Sequence, residues 1–332
     1  MTGVVEVRTG ARLHFGLFAT TPPGRPFGGI GLMIDRPGFV LQAWRTRRED
    51  RVFASPELAG RITEFVAGVR TDLQRPWVGQ SVEDPAAPVA FRIVKTIPSH
   101  RGFGSGTQLA YAVAAAMERV LDVRPVMGGC DLGRGKRSAV GTLGFGDGGF
   151  ITDRGFEHRT SLETRWNRRD VPTDWRFVIV DPLGPGGPAG AAESTGFQAL
   201  PPMSRCATEA LFEFLAEQIL PGLDQSDFAR FAGGIADFNR LVGEHFAPIQ
   251  GGVYGHPLIR NLAESLNETK WPYLAQSSWG PAAVAPCESE GSANELIAFL
   301  NRHVSQDEAK MFVAKPMNHG ATVRRFRRKP AT

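Results

Sequence analysis

The sequence predicts an α+β fold made of two lobes, and three observations point to it. The chain has 332 residues, which is too long for one ordinary hydrophobic core and about right for two domains. Hydrophobic residues make up 42% of the chain and charged residues 22%, as in an average globular protein. Strand-like segments come before a Gly-rich loop and a helix in the first half, and strands and helices are mixed in the second half.

The first lobe begins with a strand-like segment from Val5 to Leu17, in which Arg12 and His14 face away from the alternating apolar residues. A second alternating segment runs from Val89 to Ile97. A Gly-rich loop follows it and opens a segment with helical spacing of the apolar residues Leu109, Val113, Met117, Val120 and Leu121. The predicted order is therefore strand, Gly-rich loop, helix.

The boundary between the lobes is predicted in the charged segment that follows the Gly-rich residues 133–155. The second lobe then combines strands at 175–182, 274–286 and 310–314 with helices at about 204–220, 226–246, 257–267 and 292–303. We expect a first domain over residues 1–165, a second domain over residues 174–323 and a basic tail over residues 324–332.

No secretory signal or membrane span is visible in the sequence. The amino terminus lacks a basic region followed by an apolar core, and the longest wholly apolar stretch, Leu109 to Met117, is nine residues long. Cys130, Cys206 and Cys287 are widely spaced and form no CxxC pair, which excludes a disulfide framework and a zinc knuckle. We expect a cytoplasmic protein that does not contact a membrane.

The net charge of +4 comes largely from the carboxyl end, where Arg324, Arg325, Arg327, Arg328 and Lys329 cluster. Without a nucleic-acid recognition motif, a solvated tail is the favoured interpretation, and we expect no nucleic acid partner. A basic chain also suits an enzyme whose substrates carry phosphates and carboxylates. Its oligomeric state is open, with a homodimer as the default.

The Gly-rich loop is the strongest chemical signal, because glycines allow close approach of an anion and the first amides of a helix are unsatisfied. Its spacing differs from both the dinucleotide GxGxxG motif and the GxxxxGK[ST] P-loop, so NAD is not expected. The alternative is a Gly-rich turn packed against the helix. The candidate phosphate-binding residues are Gly102, Gly104, Ser105, Gly106 and Thr107.

Three further segments carry candidate site residues. Arg134, Lys136 and Arg137 lie on a Gly-rich backbone and could hold pyrophosphate or carboxylate oxygens, or could form a solvated basic loop. Arg12 and His14 would place an anion ligand beside a titratable group, although a strand histidine is more often structural. The turn at Gln276, Ser277, Ser278 and Trp279 could line a pocket for an aromatic acid, or could simply pack its tryptophan.

Taken together, these segments resemble the β-ribofuranosylaminobenzene 5'-phosphate synthase family, also called the β-ribofuranosylphenol 5'-phosphate synthase family, of the GHMP-kinase superfamily. The resemblance runs in order from about residue 5 to residue 323, through ARLHFGL, FGGIGLMIDRPG, IPSHRGFGSGTQLA, GRGKRSAVGTLGFGDGGFITDRG, QSSWGP and AKPMNHGATV. It implies a first lobe like domain 2 of ribosomal protein S5 and a ferredoxin-like second lobe. It also implies decarboxylating transfer of phosphoribose from phosphoribosyl pyrophosphate to 4-hydroxybenzoate or 4-aminobenzoate, a step toward methanopterin-type cofactors.

The resemblance implies catalytic or carboxylate-binding roles for Arg12, His14, Arg134, Lys136 and Arg137. It implies substrate-binding roles for the residues of the Gly-rich loop and the turn at residues 276–279, and more weakly for Asn318 and His319. The usual Gly-Leu-Gly-Ser-Ser loop of the superfamily is altered here by Phe103 and Gly106. Because that second serine is commonly a magnesium ligand in the kinases, ATP chemistry is not expected. Thr107 could substitute for it.

Magnesium is nevertheless the expected cofactor, because pyrophosphate leaves with concentrated charge. Its ligands are not identifiable from the sequence, and Asp35 and Asp147 are candidates that could equally be turn residues. The chain also lacks the acidic pair followed by Thr-Gly with which ordinary phosphoribosyltransferases hold ribose. The alternatives are an ATP-dependent small-molecule kinase with the same fold and a non-catalytic ligand- or nucleic-acid-binding protein. The sequence leaves the choice between the hydroxyl and amino substrates open.

Overall fold

The computed structural model describes residues 3–19, 27–73, 86–123, 132, 138–153, 166–187, 195–196 and 198–326. The strands, in chain order, are β1 (Val4–Ala19), β2 (Phe27–Arg45), β3 (Arg51–Phe53), β4 (Val89–Lys95), β5 (Phe150–Asp153), β6 (Trp166–Arg169), β7 (Arg176–Pro182), β8 (Ala275–Gln276), β9 (Ala283–Cys287), β10 (Ala309–Ala314) and β11 (Thr322–Phe326). The helices are α1 (Pro56–Leu73), α2 (Ser105–Leu121), α3 (Val140–Asp147), α4 (Arg205–Glu213), α5 (Leu220–Asp224), α6 (Phe228–Gln250), α7 (Pro257–Asn267) and α8 (Glu290–Leu300). A π-helical segment, Phe214–Ile219, joins α4 to α5.

The first lobe contains a seven-stranded sheet whose main path runs β11-β1-β2-β4-β3, with β5 paired to β2 and β6 paired to β5. Every pairing in it is antiparallel except β3 with β4. Helix α2 packs against one face of this sheet and is buried along most of its length, including Leu109, Val113 and Met117. The prediction of helix α2 from the spacing of its apolar residues is therefore confirmed.

The second lobe contains a four-stranded antiparallel sheet in the order β10-β7-β9-β8. Counted along the chain, this is the order 4-1-3-2 of a ferredoxin-like sheet. Apolar residues of α7 and α8, such as Leu262 and Leu296, pack with Val178 and Val180 of β7 on one face. Two sheets with helices on each confirm the predicted two-lobed α+β class.

The carboxyl-terminal prediction is partly wrong. Residues 322–326 form β11, which pairs with β1 so that Arg324 lies opposite Glu6 and Phe326 opposite Val4. Arg324 and Arg325 therefore belong to the first sheet rather than to a tail beginning at residue 324. Strand pairing explains the difference, because β1 would otherwise leave its backbone groups unpaired at a sheet edge. Residues 327–332 lie outside the described residues.

Each helix within the described residues is too short or too polar to cross a bilayer.

Candidate active site

A bulge in β1 directs Arg12 and His14 toward the helices of the first lobe. Before the bulge, Thr9 faces α2 and donates its hydroxyl hydrogen to Gln108 Oε1 at 2.6 Å. The register against β2 then shifts between Thr9 and Ala11, which changes the alternation of the side chains. Arg12 consequently lies beside Gly104 and Gly141, whereas Arg8, before the bulge, is exposed.

The Gly-rich loop enters α2 through two glycines with positive φ, Gly102 at 89° and Gly104 at 69°. The carbonyl of Gly104 accepts hydrogen bonds from the amides of Thr107 and Gln108, both at 3.1 Å. Among the residues described, no hydrogen-bond partner is present for the amides of Ser105 and Gly106, and no side chain caps the helix. This helix end is therefore suited to receive an anion.

Arg12 lies between the amino-terminal ends of α2 and α3. A methyl group added at Gly104 would come within 3.0 Å of Arg12 Nε, and one at Gly141 would lie 3.7 Å from the same atom. The backbone amide of Arg12 donates to the carbonyl of Phe103 at 3.0 Å, which fixes β1 to the Gly-rich loop. The positive charge of Arg12 thus reinforces the partial charge of the α2 terminus.

The buried side chain of Gln108, which sequence analysis did not select, joins the same elements. Its Oε1 accepts from Thr9, and its Nε2 donates to the carbonyl of Gly141 at 2.9 Å. Because Gln108 is completely buried, these two bonds hold β1, α2 and α3 at fixed positions. A polar residue inside the apolar spacing of α2 was the available sequence signal.

The amino terminus of α3 differs from that of α2, because a carboxylate already occupies it. Asp153, a fully buried residue at the end of β5, accepts a hydrogen bond from the amide of Ala139 at 2.6 Å. Ser138 Oγ also accepts from the amide of Val140 at 3.3 Å. The anion-binding terminus of the site is therefore α2, while α3 is held in place by Asp153.

His14 is a buried, neutral imidazole at this junction. Its ring lies close to Gly29 and Ser138, since a methyl group added at Gly29 would be 2.8 Å from His14 Nε2 and 3.0 Å from Ser138 Oγ. Burial, together with the positive charge of Arg12, holds the pKa of His14 well below its usual range. The neutral form is able to accept a proton at physiological pH.

The second lobe contacts both His14 and the Gly-rich loop through Ser277 and Ser278. Ser277 Oγ accepts a hydrogen bond from the backbone amide of His14 at 3.0 Å and donates one to the carbonyl of Gly102 at 2.8 Å. The amide of Ser278 donates to the carbonyl of His14 at 2.7 Å. Ser277 is fully buried, and its hydroxyl joins His14 to the Gly-rich loop; its contact with substrate stays a prediction.

Gln276 and Trp279 serve the packing of the same turn. The side chain of Gln276 accepts from the amide of Gly255 at 2.7 Å and donates to the carbonyl of Ser278 at 3.1 Å. Trp279 packs edge-to-face on Phe246 of α6, with ring centroids 5.2 Å apart. The side-chain amide of Gln276 is thus hydrogen-bonded within the protein. The ring of Trp279 is partly buried, and its contact with substrate stays a prediction.

Arg101, directly before the Gly-rich loop, forms a buried ion pair with Asp181 of β7. Its Nε lies 2.7 Å from Asp181 Oδ1, and its Nη1 donates to the carbonyls of Gly184 and Pro185. Both charged side chains are about 9% exposed. Burial raises the pKa of Asp181, although Arg101 and Lys310 act in the opposite direction. The pair therefore connects the Gly-rich loop to the second lobe, and burying its two charges carries a considerable desolvation cost.

Removing one partner of this pair should be strongly destabilising. We expect Asp181→Ala to lower the free energy of unfolding by about 3–5 kcal/mol, because Arg101 would remain buried without a counter-charge. Chemical denaturation measures the change. The matched control is Glu209→Ala, which breaks the exposed pair with Arg205 and should cost about 0.5 kcal/mol or less. Equal losses in the two variants would contradict this account of the lobe contact.

The two candidate metal ligands, Asp35 and Asp147, lie on different elements. Asp35 is exposed, and its Oδ1 accepts a hydrogen bond from the amide of Lys315 at 2.7 Å. Asp147 is the exposed last residue of α3, roughly 10 Å along the helix from its first turn. No group of three or more His, Cys, Asp or Glu side chains within the described ranges could hold a metal. The hydrogen bond of Asp35 joins β2 to Lys315, and metal binding by Asp35 or Asp147 stays a prediction.

Asn318 and His319 are found at the far end of α3. The side-chain amide of Asn318 makes two hydrogen bonds to the backbone of Val171, at 2.9 Å from its amide and 2.7 Å to its carbonyl. His319 is exposed, and its backbone packs against Gly148. The bonds of Asn318 hold it against the backbone that follows β6, and its contact with substrate stays a prediction. Arg134, Lys136 and Arg137 lie outside the described residues.

Two family models match the chain, one in each lobe. The model of the GHMP kinases N terminal domain matches residues 65–128, which contain the Gly-rich loop and α2. The model of the GHMP kinases C terminal domain matches residues 219–306. Solved structures agree with this assignment of the fold: mevalonate diphosphate decarboxylase from Staphylococcus aureus has a TM-score of 0.69 at 13% identity and covers 97% of this chain and 98% of its own.

A homoserine kinase from Cytophaga hutchinsonii, with a TM-score of 0.64 at 14% identity over 96% of this chain and 97% of its own, shares the fold as well. Among sequences, the β-ribofuranosylphenol 5'-phosphate synthase of Methanothermobacter thermautotrophicus is 25% identical, covering 83% of this chain and 86% of that protein. The synthase of the same name from Archaeoglobus fulgidus is 24% identical, covering 96% and 99% respectively. The chain therefore carries matches to the N- and C-terminal GHMP kinase domains and is similar over most of its length to proteins named β-ribofuranosylphenol 5'-phosphate synthase.

Proposed function

We propose that the protein transfers phosphoribose from phosphoribosyl pyrophosphate to the ring carbon of a 4-substituted benzoate, releasing carbon dioxide and pyrophosphate. The observation that carries this proposal is the similarity to synthases of that name over most of the length of both chains. The acceptor is 4-hydroxybenzoate or 4-aminobenzoate. The product would serve the synthesis of methanopterin-type one-carbon cofactors.

The α2 terminus is the proposed site for the phosphate groups of the donor. Open amides at Ser105 and Gly106 and the side chain of Arg12 supply donors and positive charge without a P-loop lysine. This arrangement would also replace the acidic ribose-binding motif that the sequence lacks. Arg134, Lys136 and Arg137, which precede Ser138 in the sequence, are proposed to hold the carboxylate of the acceptor.

The proposed general base is His14. A ring carbon is a weak nucleophile unless the para hydroxyl or amino group donates electron density to it, and removal of a proton from that group strengthens the donation. The ring carbon that bears the carboxylate forms the bond to C1 of the ribose, and the bond from C1 to pyrophosphate breaks. Loss of carbon dioxide then leaves its electron pair in the ring and restores aromaticity, so no oxidant or reductant is needed.

Alignment of the two substrates would account for most of the acceleration. Holding reactants in a productive geometry can contribute on the order of 7–11 kcal/mol, whereas proton transfer typically contributes about 10²–10⁴-fold in rate. The hydrogen bonds of Gln108 and Ser277 fix the elements on which Arg12, His14 and the Gly-rich loop are placed. Positioning is therefore proposed as their contribution to catalysis.

Magnesium is proposed as a partner of the substrate and not as a resident ion of the protein. Asp35 and Asp147, the two sequence candidates, are exposed, and no group of three or more His, Cys, Asp or Glu side chains among the described residues could hold a metal ion. The charge of pyrophosphate itself attracts divalent cations. We therefore expect turnover to stop in excess chelator and to return when magnesium is added back, in an assay of pyrophosphate release. Full turnover in excess chelator would contradict the requirement.

The proposed function is tested by incubating the purified protein with phosphoribosyl pyrophosphate and each acid separately, followed by mass spectrometry. The expected product is a C-riboside 5'-phosphate that lacks the carboxyl group. Parallel reactions with ATP and no phosphoribosyl pyrophosphate test the kinase alternative. Phosphorylation of an acceptor by ATP, with no ribosylated product in the first reactions, would overturn the proposal.

A further inference from the structure

Among the described residues, no element packs on one face of the first-lobe sheet where β11, β1, β2, β4 and β3 lie side by side, although the reverse side of the sheet forms the core. Odd-numbered residues of β1 before the bulge, Val5 and Val7, are fully buried, while the even-numbered Arg8 is exposed. The open face carries a groove of about 400 Å³. We name it the arginine-aromatic face after its members Arg8, Trp44, Phe53, Arg92, Arg324 and Phe326.

The strand register places these residues in rows across the sheet. Arg324 of β11 lies opposite Glu6 of β1, Glu6 opposite Gln42 of β2, Gln42 opposite Arg92 of β4, and Arg92 opposite Phe53 of β3. Five neighbouring strands about 4.8 Å apart make this row roughly 19 Å long. The face is therefore an extended platform and not a local depression.

Aromatic rings are presented at both ends of the platform. Trp44 and Phe53 stack with centroids 6.0 Å apart and an interplanar angle of 15°, and Arg92 Cζ lies 5.7 Å and 5.6 Å from their centroids. Phe53 is 47% exposed, and Phe326 on the opposite edge strand is 46% exposed. Such rings and guanidinium planes are the surfaces on which nucleobases stack.

The face is positively charged even after its internal ion pairs are counted. Glu6 accepts hydrogen bonds from Arg8 at 2.6 Å and Gln42 at 2.8 Å, so its charge is already matched. Arg92 and Arg324 remain on either side of it. A second copy of this face would bring like charges together, which disfavours self-association through it. The charge requires an anionic partner.

The shape of the groove distinguishes between anionic partners. Its floor is a sheet and its upper side is open to solvent, so a small ligand would stay largely hydrated, unlike ligands in enclosed pockets. An extended strand of nucleotides can instead place phosphates near several arginines and bases on several rings. We propose that the arginine-aromatic face binds single-stranded nucleic acid with little sequence preference. This activity is separate from the proposed synthase site.

The proposal reverses an expectation drawn from the sequence. Nucleic acid binding was not expected because the carboxyl-terminal arginines were interpreted as a solvated tail. Arg324 instead lies in β11, in the same row as Arg92 and beside the strand that carries Arg8. The sheet thus gathers cations that are distant in sequence onto one aromatic surface.

The test is fluorescence anisotropy of the full chain with a labelled decauridylate. We expect binding whose logarithmic salt dependence has a slope of about −1.4, since Arg92 and Arg324, the two arginines of this face that are not paired with Glu6, contribute about −0.7 per neutralised phosphate. Trp44→Ala and Arg92→Gln should each weaken binding about fivefold or more. Arg324→Gln, which leaves the rings intact, should reduce the magnitude of the slope by about 0.7.

Arg205→Gln is the matched control, because Arg205 is an exposed arginine on α4, and it should bind like the unmodified protein. Synthase turnover should be unchanged in every variant, so failure of this proposal is distinguishable from failure of the proposed function. Absence of binding at micromolar protein, equal losses in Arg205→Gln and Arg92→Gln, or competition by uridine monophosphate as strong as by the oligonucleotide would overturn the proposal.

Discussion

Replacing Gly104 by valine is expected to lower kcat/KM for phosphoribosyl pyrophosphate by about 10²–10³-fold, comparable to the loss of one donor that stabilises a developing anion. Gly104 has a φ of 69°, which a β-branched side chain rarely adopts. The added Cβ would also lie 3.0 Å from Arg12 Nε and displace that guanidinium. Both effects act on the anion-binding terminus of α2. Steady-state kinetics and direct binding of phosphoribosyl pyrophosphate measure the change.

The control for this variant is the same substitution at a glycine with free space around it. Gly60 lies in α1, has negative φ and has no atom within 4 Å of an added Cβ. Gly60→Val should retain activity. A folded Gly104→Val protein with unchanged affinity for phosphoribosyl pyrophosphate would remove the Gly-rich loop from the donor site.

Replacing His14 by alanine is expected to lower kcat by about 10²–10⁴-fold without abolishing substrate binding, the range typical of a lost general base. The substitution should leave the fold intact, because the contacts of His14 with Ser277 and Ser278 use its backbone amide and carbonyl. Turnover and substrate affinity are measured separately. His303→Ala, at an exposed position that follows α8 and belongs to no candidate site, is the matched control and should retain activity.

The pH dependence gives a second measure of the role of His14. An ordinary imidazole becomes protonated near pH 6.5, and a protonated base cannot accept the substrate proton. Since burial and Arg12 depress the pKa of His14, its neutral form persists to lower pH. We expect kcat to stay level as the pH falls through about 6.5 and to decline only below it. A kcat that halves near pH 6.5, or a His14→Ala enzyme of full rate, would contradict the assignment.

The sequence indicated the parts of the site whose signals are local. Alternation predicted β1, and helical spacing predicted α2, because one face of each element packs on the core. The Gly-rich loop was predicted from its glycines before a helix, and Arg12 and His14 from their chemistry and spacing on one strand face; the three lie together in the structure. Nothing local revealed the β1 bulge, which decides that Arg12 faces the α2 terminus and Arg8 the solvent.

Contacts between residues that are far apart along the chain could not be predicted from the sequence. Ser277 was selected for its hydroxyl, but only the fold shows that this hydroxyl is shared between His14 and Gly102. The Arg101–Asp181 pair joins residues 80 positions apart and carries no motif. Pairing of β11 with β1 was missed because an arginine-rich segment has the composition of a tail, and its strand depends on a partner at the opposite end of the chain.

The central claim is that the acceptor reacts at the carbon that bears its carboxylate. The most direct test uses 4-hydroxybenzoate labelled in the carboxyl carbon together with phosphoribosyl pyrophosphate, with pyrophosphate and gaseous label measured in the same reaction. The account predicts that label leaves entirely as carbon dioxide, in equal amount to pyrophosphate and without ATP. Label retained in the ribosylated product would show attack at another atom and would contradict the claim.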